Sequence, residues 1–327
     1  MLVHIIHWRA LWRGLFILAP VIAAFAYSND PHWLLCALVA TCSLVAADQS
    51  ELTPSGVIVH GALVTIGWLS LLWAQCSPAA YVLLVMVYTV LGTQLGARYP
   101  RWRPATLFAL VPMLYVSSQL ADEQKSGSAA QLGHVLSILT SAFVPVVAWR
   151  FWLQIKRRQP WFEWIRSHEA DTPESTTAYA SWLVGIGVIG VLIATLLAIS
   201  VPMTHRHWLI WSALVVAADP LMSRSKMRAR ITGGSLGAMS GAIVAGYLPA
   251  ALWMVAFLGL GALLTLVAIK PYSLAFGIRS SLVVMGLSLA GGEQHVAFAR
   301  MVDVVAGSSI GYLGLAVANV VVRRSSQ

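Results

Sequence analysis

The sequence predicts an all-α integral membrane protein: about twelve transmembrane helices as two parallel six-helix repeats, with N- and C-termini cytoplasmic. Three observations predict it. Of the 327 residues, 58% are hydrophobic and only 10% charged, against about 25% charged in soluble domains. Apolar runs near the length of about 20 residues that a helix needs to cross about 30 Å of hydrocarbon recur along the whole chain. Short motifs in the first half return in the second at a nearly constant offset. A chain with a mean hydropathy of +0.76 could not keep its apolar surface from water, which excludes soluble enzymes and nucleic-acid binders.

Taken in order, the first-half spans are Leu11–Tyr27, Trp33–Ala47, Val57–Ala74, Tyr81–Ala97, Ala105–Leu120 and Leu132–Leu153. The second-half spans are Trp182–Val201, Trp208–Ala218, Ser235–Leu248, Ala251–Ile269, Leu274–Ala290 and Val302–Val322. Charge placement supports this count independently. With the N-terminus inside, only Lys125, Arg206 and Arg300 of the 21 basic residues fall outside, as retention of Lys and Arg on the cytoplasmic side requires. The 14 tryptophans fall largely near span ends, where an interfacial belt needs them. Ala24-Phe25-Ala26 after the first apolar run imitates a leader cleavage site, but removing that helix would break the even count and the charge pattern.

The halves resemble each other. Val45-Ala46-Ala47-Asp48 returns as Val216-Ala217-Ala218-Asp219, and His32-Trp33-Leu34 as His207-Trp208-Leu209. The offset is 171 from Asp48 to Asp219 and from Pro100 to Pro271, and 170 from Glu123 to Glu293. Chance likeness of apolar sequence is the alternative. An even number of helices per copy gives both copies the same orientation, with a binding site expected between them near the midplane. The domains are therefore residues 1–153, a first six-helix membrane repeat, and residues 181–327, a second. Residues 154–180 form a cytoplasmic linker. Its Trp161, Phe162, Trp164 and Ile165 among basic residues suit a helix lying on anionic lipid, or else a solvated tether.

Trp208–Ala218 would rise only about 16 Å, well short of a bilayer. Asp219 therefore lies within the membrane profile or begins a broken helix, because Pro220 follows and lacks a donor. An intramembrane carboxylate is costly and a functional candidate, so Asp219 ranks first for proton coupling, with its repeat partner Asp48 beside it. An ordinary cap, or an ion pair to the following basic loop, is the alternative. Asp303 follows Arg300 by three residues on one helical face and reads either as an intrahelical ion pair or as a protonatable group. Arg300 and Arg206, with Glu123 and Glu293, would gather at the outer mouth, as anion-attracting groups or as solvated loop charges. Arg230 could draw an anion to the cytoplasmic entrance, although positive-inside topology would also put it there. Gly233, Gly237 and Gly241 recur at four-residue spacing, the pattern of a close helix-packing seam. His60 and His134 read as helix contacts or proton relays. Cys36, Cys42 and Cys76 have no ligand spacing, so no metal and no cofactor are expected. No nucleotide-binding loop and no nucleophile arrangement is legible, which argues against an enzyme.

The second half carries Arg206-His207-Trp208, Asp219-Pro220, then Arg230-Ile231-Thr232-Gly233-Gly234-Ser235-Leu236-Gly237-Ala238, and finally Arg300-Met301-Val302-Asp303 with Gly307 and Gly311. In this order the features resemble the fusaric acid resistance (FUSC-like) and aromatic acid exporter superfamily, clearest over Trp182–Val322. Family members typically have Thr where this chain has Gly234. Long bacterial members also carry sizeable cytosolic domains that have no counterpart in this chain. The resemblance implies a multi-pass protein of the bacterial inner membrane that exports small organic, aromatic among them, carboxylic acids; without a nucleotide-binding loop, pumping would use an ion gradient or a partner ATPase. Implied partners are the organic anion, the lipid bilayer, a periplasmic adaptor (membrane fusion) protein and a homo-oligomer, without nucleic acid. A passive organic-anion channel and a non-transporting scaffold of an envelope complex are the alternatives.

Overall fold

The computed structural model describes residues 5–124, 129–157, 188–201, 205–219, 222–291 and 295–325, with backbone alone for 122–124, 129–131 and 321–325. Every described part of the apolar runs is helical, since a chain in hydrocarbon must satisfy its backbone N–H and C=O groups within its own segment. In order the helices are α1 Trp8–Ser28, α2 His32–Gln49, α3 Pro54–Ala74, α4 Pro78–Arg98, α5 Arg103–Gln124, α6 Ala129–Ser141 and α7 Phe143–Arg157. They continue with α8 Val188–Ser200, α9 Arg206–Ala217, α10 Ser223–Ala245, α11 Leu252–Ala268, α12 Tyr272–Leu289 and α13 Val296–Ser325. Among the described residues, eight segments are long and apolar enough to cross a membrane, with α6 and α7 counting as one. The chain is thus a helical, multi-pass membrane protein. Exposed Trp73, Leu236 and Phe257 turn apolar surface outward, as contact with lipid requires.

Local chemistry sets several helix ends. Thr53 accepts a hydrogen bond from the Gly56 N–H at 3.2 Å with Pro54 opening α3, and Ser77 does the same for the Ala80 N–H at 3.4 Å with Pro78 opening α4. The predicted single span Leu132–Leu153 is instead two helices that part at Ala142. Pro145 has no N–H to give the Ser141 carbonyl, and its ring crowds that carbonyl, so α6 stops there. The amphipathic linker segment expected around Trp161–Arg166 lies outside the described residues.

The chain divides into two compact units, Arg13–Ser181 and Met1–Trp12 with Trp182–Gln327. In the first, α5 packs on α2, α3 and α4, and α2 and α3 also meet α6 and α7. In the second, α12 lies along α10 and α11, while α13 lies along α9 and α10. The chain's first residues belong to the second unit. His7 N–H donates to the Ala268 carbonyl at 2.7 Å and Lys270 N–H to the Ile5 carbonyl at 3.1 Å, either side of an antiparallel bridge between Ile6 and Ile269.

Candidate functional site

Glycine brings the helices of the second unit close enough for their backbones to touch. A Cβ on Gly233 would stand 2.6 Å from the Ser273 carbonyl oxygen, and one on Gly241 2.9 Å from Ser281 Cα. Gly237 faces Gly277 at equally short range, so α10 and α12 meet along Gly233, Gly237 and Gly241. Gly307 and Gly311 set α13 against Leu209, Ser212 and Ala213 of α9 in the same manner. Small residues at a helix contact are what permit this approach in lipid.

Two arginines lie inside that bundle. Arg230 of α10 is only 1% exposed. Its guanidinium donates to Ser212 Oγ of α9 at 2.8 Å and to Tyr272 Oη of α12 at 3.1 Å, and its Cζ sits 4.2 Å from the centroid of the Phe276 ring. Its Nε has no hydrogen-bond acceptor among the described residues. Arg300 of α13 is also buried, with Cζ 4.4 Å from the Trp208 ring and 5.9 Å from the Phe276 ring. A guanidinium stays charged at any working pH, and burying it without compensation is expensive. Hydroxyl acceptors and the negative faces of Phe276 and Trp208 supply part of that compensation. Buried Asp303 lies one turn beyond Arg300 on α13, near its charge.

The sequence-predicted residues separate into three groups. Arg230, Arg300 and Asp303 lie buried in the second unit, the first two against one shared ring. Asp219, just beyond α9, accepts from Lys226 Nζ at 2.8 Å. Asp48 lies between Arg13 at 2.8 Å and Arg150 at 3.3 Å in the first unit, and Arg150 also donates to the Ala47 carbonyl. Arg206 is half-buried at the start of α9, next to buried His207. The side chain of Glu123 and the whole of Glu293 lie outside the described residues. His60 is buried with no hydrogen-bond partner at Nε2 among the described residues. His134 is exposed and reaches Asp30 at 3.0 Å, while His32 Nδ1 meets the other oxygen of the same carboxylate at 2.6 Å.

Asp30 stands between α1 and α2. Burial alone would raise its carboxyl above the ordinary range. The His32 backbone N–H and the rings of His134 and His32 outweigh that and hold it below its usual value of 3.8. Ser212, Tyr272 and Phe276 carry no signal that single-sequence reasoning could separate from ordinary packing, and Trp208 is marked only by the repeated His-Trp-Leu motif. Lys226, Arg13 and Arg150 read there as topology charges. Among the described residues no group of His, Cys, Asp or Glu is arranged to hold a metal ion.

No curated protein and no solved structure matches the chain. Residues 189–314, spanning α8 to α13 and including every member of the buried arginine cluster, match the family model described as fusaric acid resistance protein-like. Over these residues this multi-pass membrane chain is similar to the fusaric acid resistance proteins.

Proposed function

We propose that the chain is an inner-membrane exporter of small organic anions, carboxylic acids with and without an aromatic ring, driven by an ion gradient. Arg230 carries this reading. It is a fixed cation almost fully removed from solvent, held by two hydroxyls and a ring, with no carboxylate at ion-pair distance among the described residues. An arriving anion restores the balance that burial upsets, which is why ionisable groups in membrane helices mark substrate paths. Arg230 follows the basic start of α10 and serves the cytoplasmic approach, Arg300 takes the anion further along, and Arg206 draws it to the outer mouth. Asp303 is the proton-coupling group, since it is buried and has no hydrogen bond or ion pair at contact distance among the described residues, only the charge of Arg300 nearby. Asp48 and Asp219, each bonded to cations, act as struts at the inner ends of their helices.

Twelve spans in two like-oriented copies, with both termini cytoplasmic, belong to this reading, and the placement of Lys and Arg along the sequence supports them. On this reading a periplasmic adaptor receives the anion, and copies of the chain associate in the bilayer. The test is flux in proteoliposomes holding the purified chain, with benzenesulfonate and methanesulfonate as probes because both stay ionised and do not cross lipid unaided. Export against a concentration gradient under an imposed proton gradient is expected, and Arg230→Gln should lower it more than about tenfold while the protein still inserts. Flux that only equilibrates identifies a channel, and no flux in the unaltered chain overturns transport.

A further inference from the structure

We infer that Phe276 is a positioning residue of the anion route, and that Gly234 is the position that seats it. The inference rests on the transport reading above and deepens it. Phe276 is 1% exposed, and both buried guanidiniums lie within 5.9 Å of its ring centroid. Tyr272, whose hydroxyl accepts from Arg230, is stacked on the same ring at 6.2 Å with 16° between the planes. One phenyl ring thus fixes the positions of two cations and of one hydroxyl that binds a cation. Two guanidiniums in a low-dielectric bundle repel each other, and a polarisable ring with a negative face is the side chain that holds both without neutralising either. A carboxylate in its place would pair with the cations and occupy the route, whereas an aliphatic side chain would fill the volume but remove the negative face that both guanidiniums share.

The ring has room because residue 234 is glycine. A Cβ there would stand 2.8 Å from Phe276 Cε1 and 3.0 Å from Val304 Cγ1, so any side chain at 234 must displace the ring or the neighbouring helix. The glycine at this point in the Gly233–Gly241 stretch therefore serves the ring, while Gly233, Gly237 and Gly241 serve the contact with α12. Substitution at 234 should act on the spacing of the two arginines rather than on helix association.

The experiment measures KM and maximal rate for benzenesulfonate and methanesulfonate in proteoliposomes, with the detergent-solubilised thermal midpoint as a control for folding. Phe276→Leu should raise KM about tenfold at nearly unchanged maximal rate, and Phe276→Tyr should restore most of the affinity. Gly234→Thr should give the same KM defect. The double variant should be no worse than either single one, because the ring that threonine would displace is already gone. An unchanged KM in Phe276→Leu, or additive defects in the double variant, would overturn the inference while transport stands. Absence of flux in the unaltered chain overturns the transport reading and this inference with it.

Discussion

The two units use similar helix pairs for different ends. In the first, half-buried charge is neutralised in place: Asp48 bridges Arg13 of α1 and Arg150 of α7. Two of its glycines lie beneath side chains, Gly67 under Met113 and Gly61 under Phe143. In the second, two guanidiniums rest on aromatic rings, and glycines bring backbone against backbone. Positions related by the offset make the contrast sharper, since Arg230, Gly237 and Phe276 answer to Val59, Ile66 and Ala105. The first unit has the construction of a frame. The second spends its tight packing on keeping cations where water does not reach.

The largest expected effect breaks or upholds this contrast at a single methyl group. Gly237→Ala would press a Cβ into the Gly277 backbone, which cannot yield unless α10 and α12 separate. Overpacking of this kind should cost about 3 kcal/mol and show as a large drop in thermal midpoint in detergent. Gly67→Ala meets only the side chain of Met113, whose rotatable bonds let it move aside, at less than about 1 kcal/mol. Equal losses at both positions would remove the distinction between the units.

Next come the two carboxylates. Asp48→Asn leaves two guanidiniums facing each other, half-shielded by solvent, and should cost about 2 kcal/mol of stability while flux per folded molecule is kept. Asp303→Asn removes a charge that is buried without an ion-pair partner at contact distance. Stability should change by less than about 1 kcal/mol, flux should persist, and its dependence on the proton gradient should vanish. Gradient dependence lost through Asp48 instead would transfer the coupling role to the first unit.

How far these arrangements are legible in sequence depends on the distance over which the physics acts. Apolar length and capping chemistry are local, so Thr53-Pro54 and Ser77-Pro78 announce helix starts that the structure has. Proline within an apolar run is ambiguous: α1 and α5 continue through Pro20 and Pro112, while Pro145 ends the run at Ser141. The charges of Arg300 and Asp303 stand out against apolar surroundings and are readable one residue at a time, whereas Arg230 ends a basic run and reads equally as a topology charge. The shared use of Phe276 by the two arginines is not readable, because a phenylalanine in a membrane helix has the same pattern whether it fills space or holds a cation. Likewise Asp48 and Asp219 look alike in the repeated Val-Ala-Ala-Asp motif, and only the fold gives one two arginines and the other a lysine.

The smallest effect tests whether the first unit's charge contacts are indifferent to pH over the range in which a proton gradient would drive the second. Asp30 joins the α1–α2 turn to α6 through His134. Its pKa is lower in the folded chain than its ordinary value of 3.8, so its contribution is fully present above that value and is lost as pH falls through the folded one. Asp30→Asn should therefore lower the thermal midpoint by the equivalent of about 1 kcal/mol at neutral pH, and the deficit should persist at about pH 5. As pH falls below 3.8 and through the lower folded value, the carboxyl of the unaltered chain takes up its proton, and the two proteins should converge. A deficit that instead disappears between pH 7 and about pH 5 would mean that the frame itself titrates where the gradient acts, and proton sensitivity would no longer belong to the second unit alone.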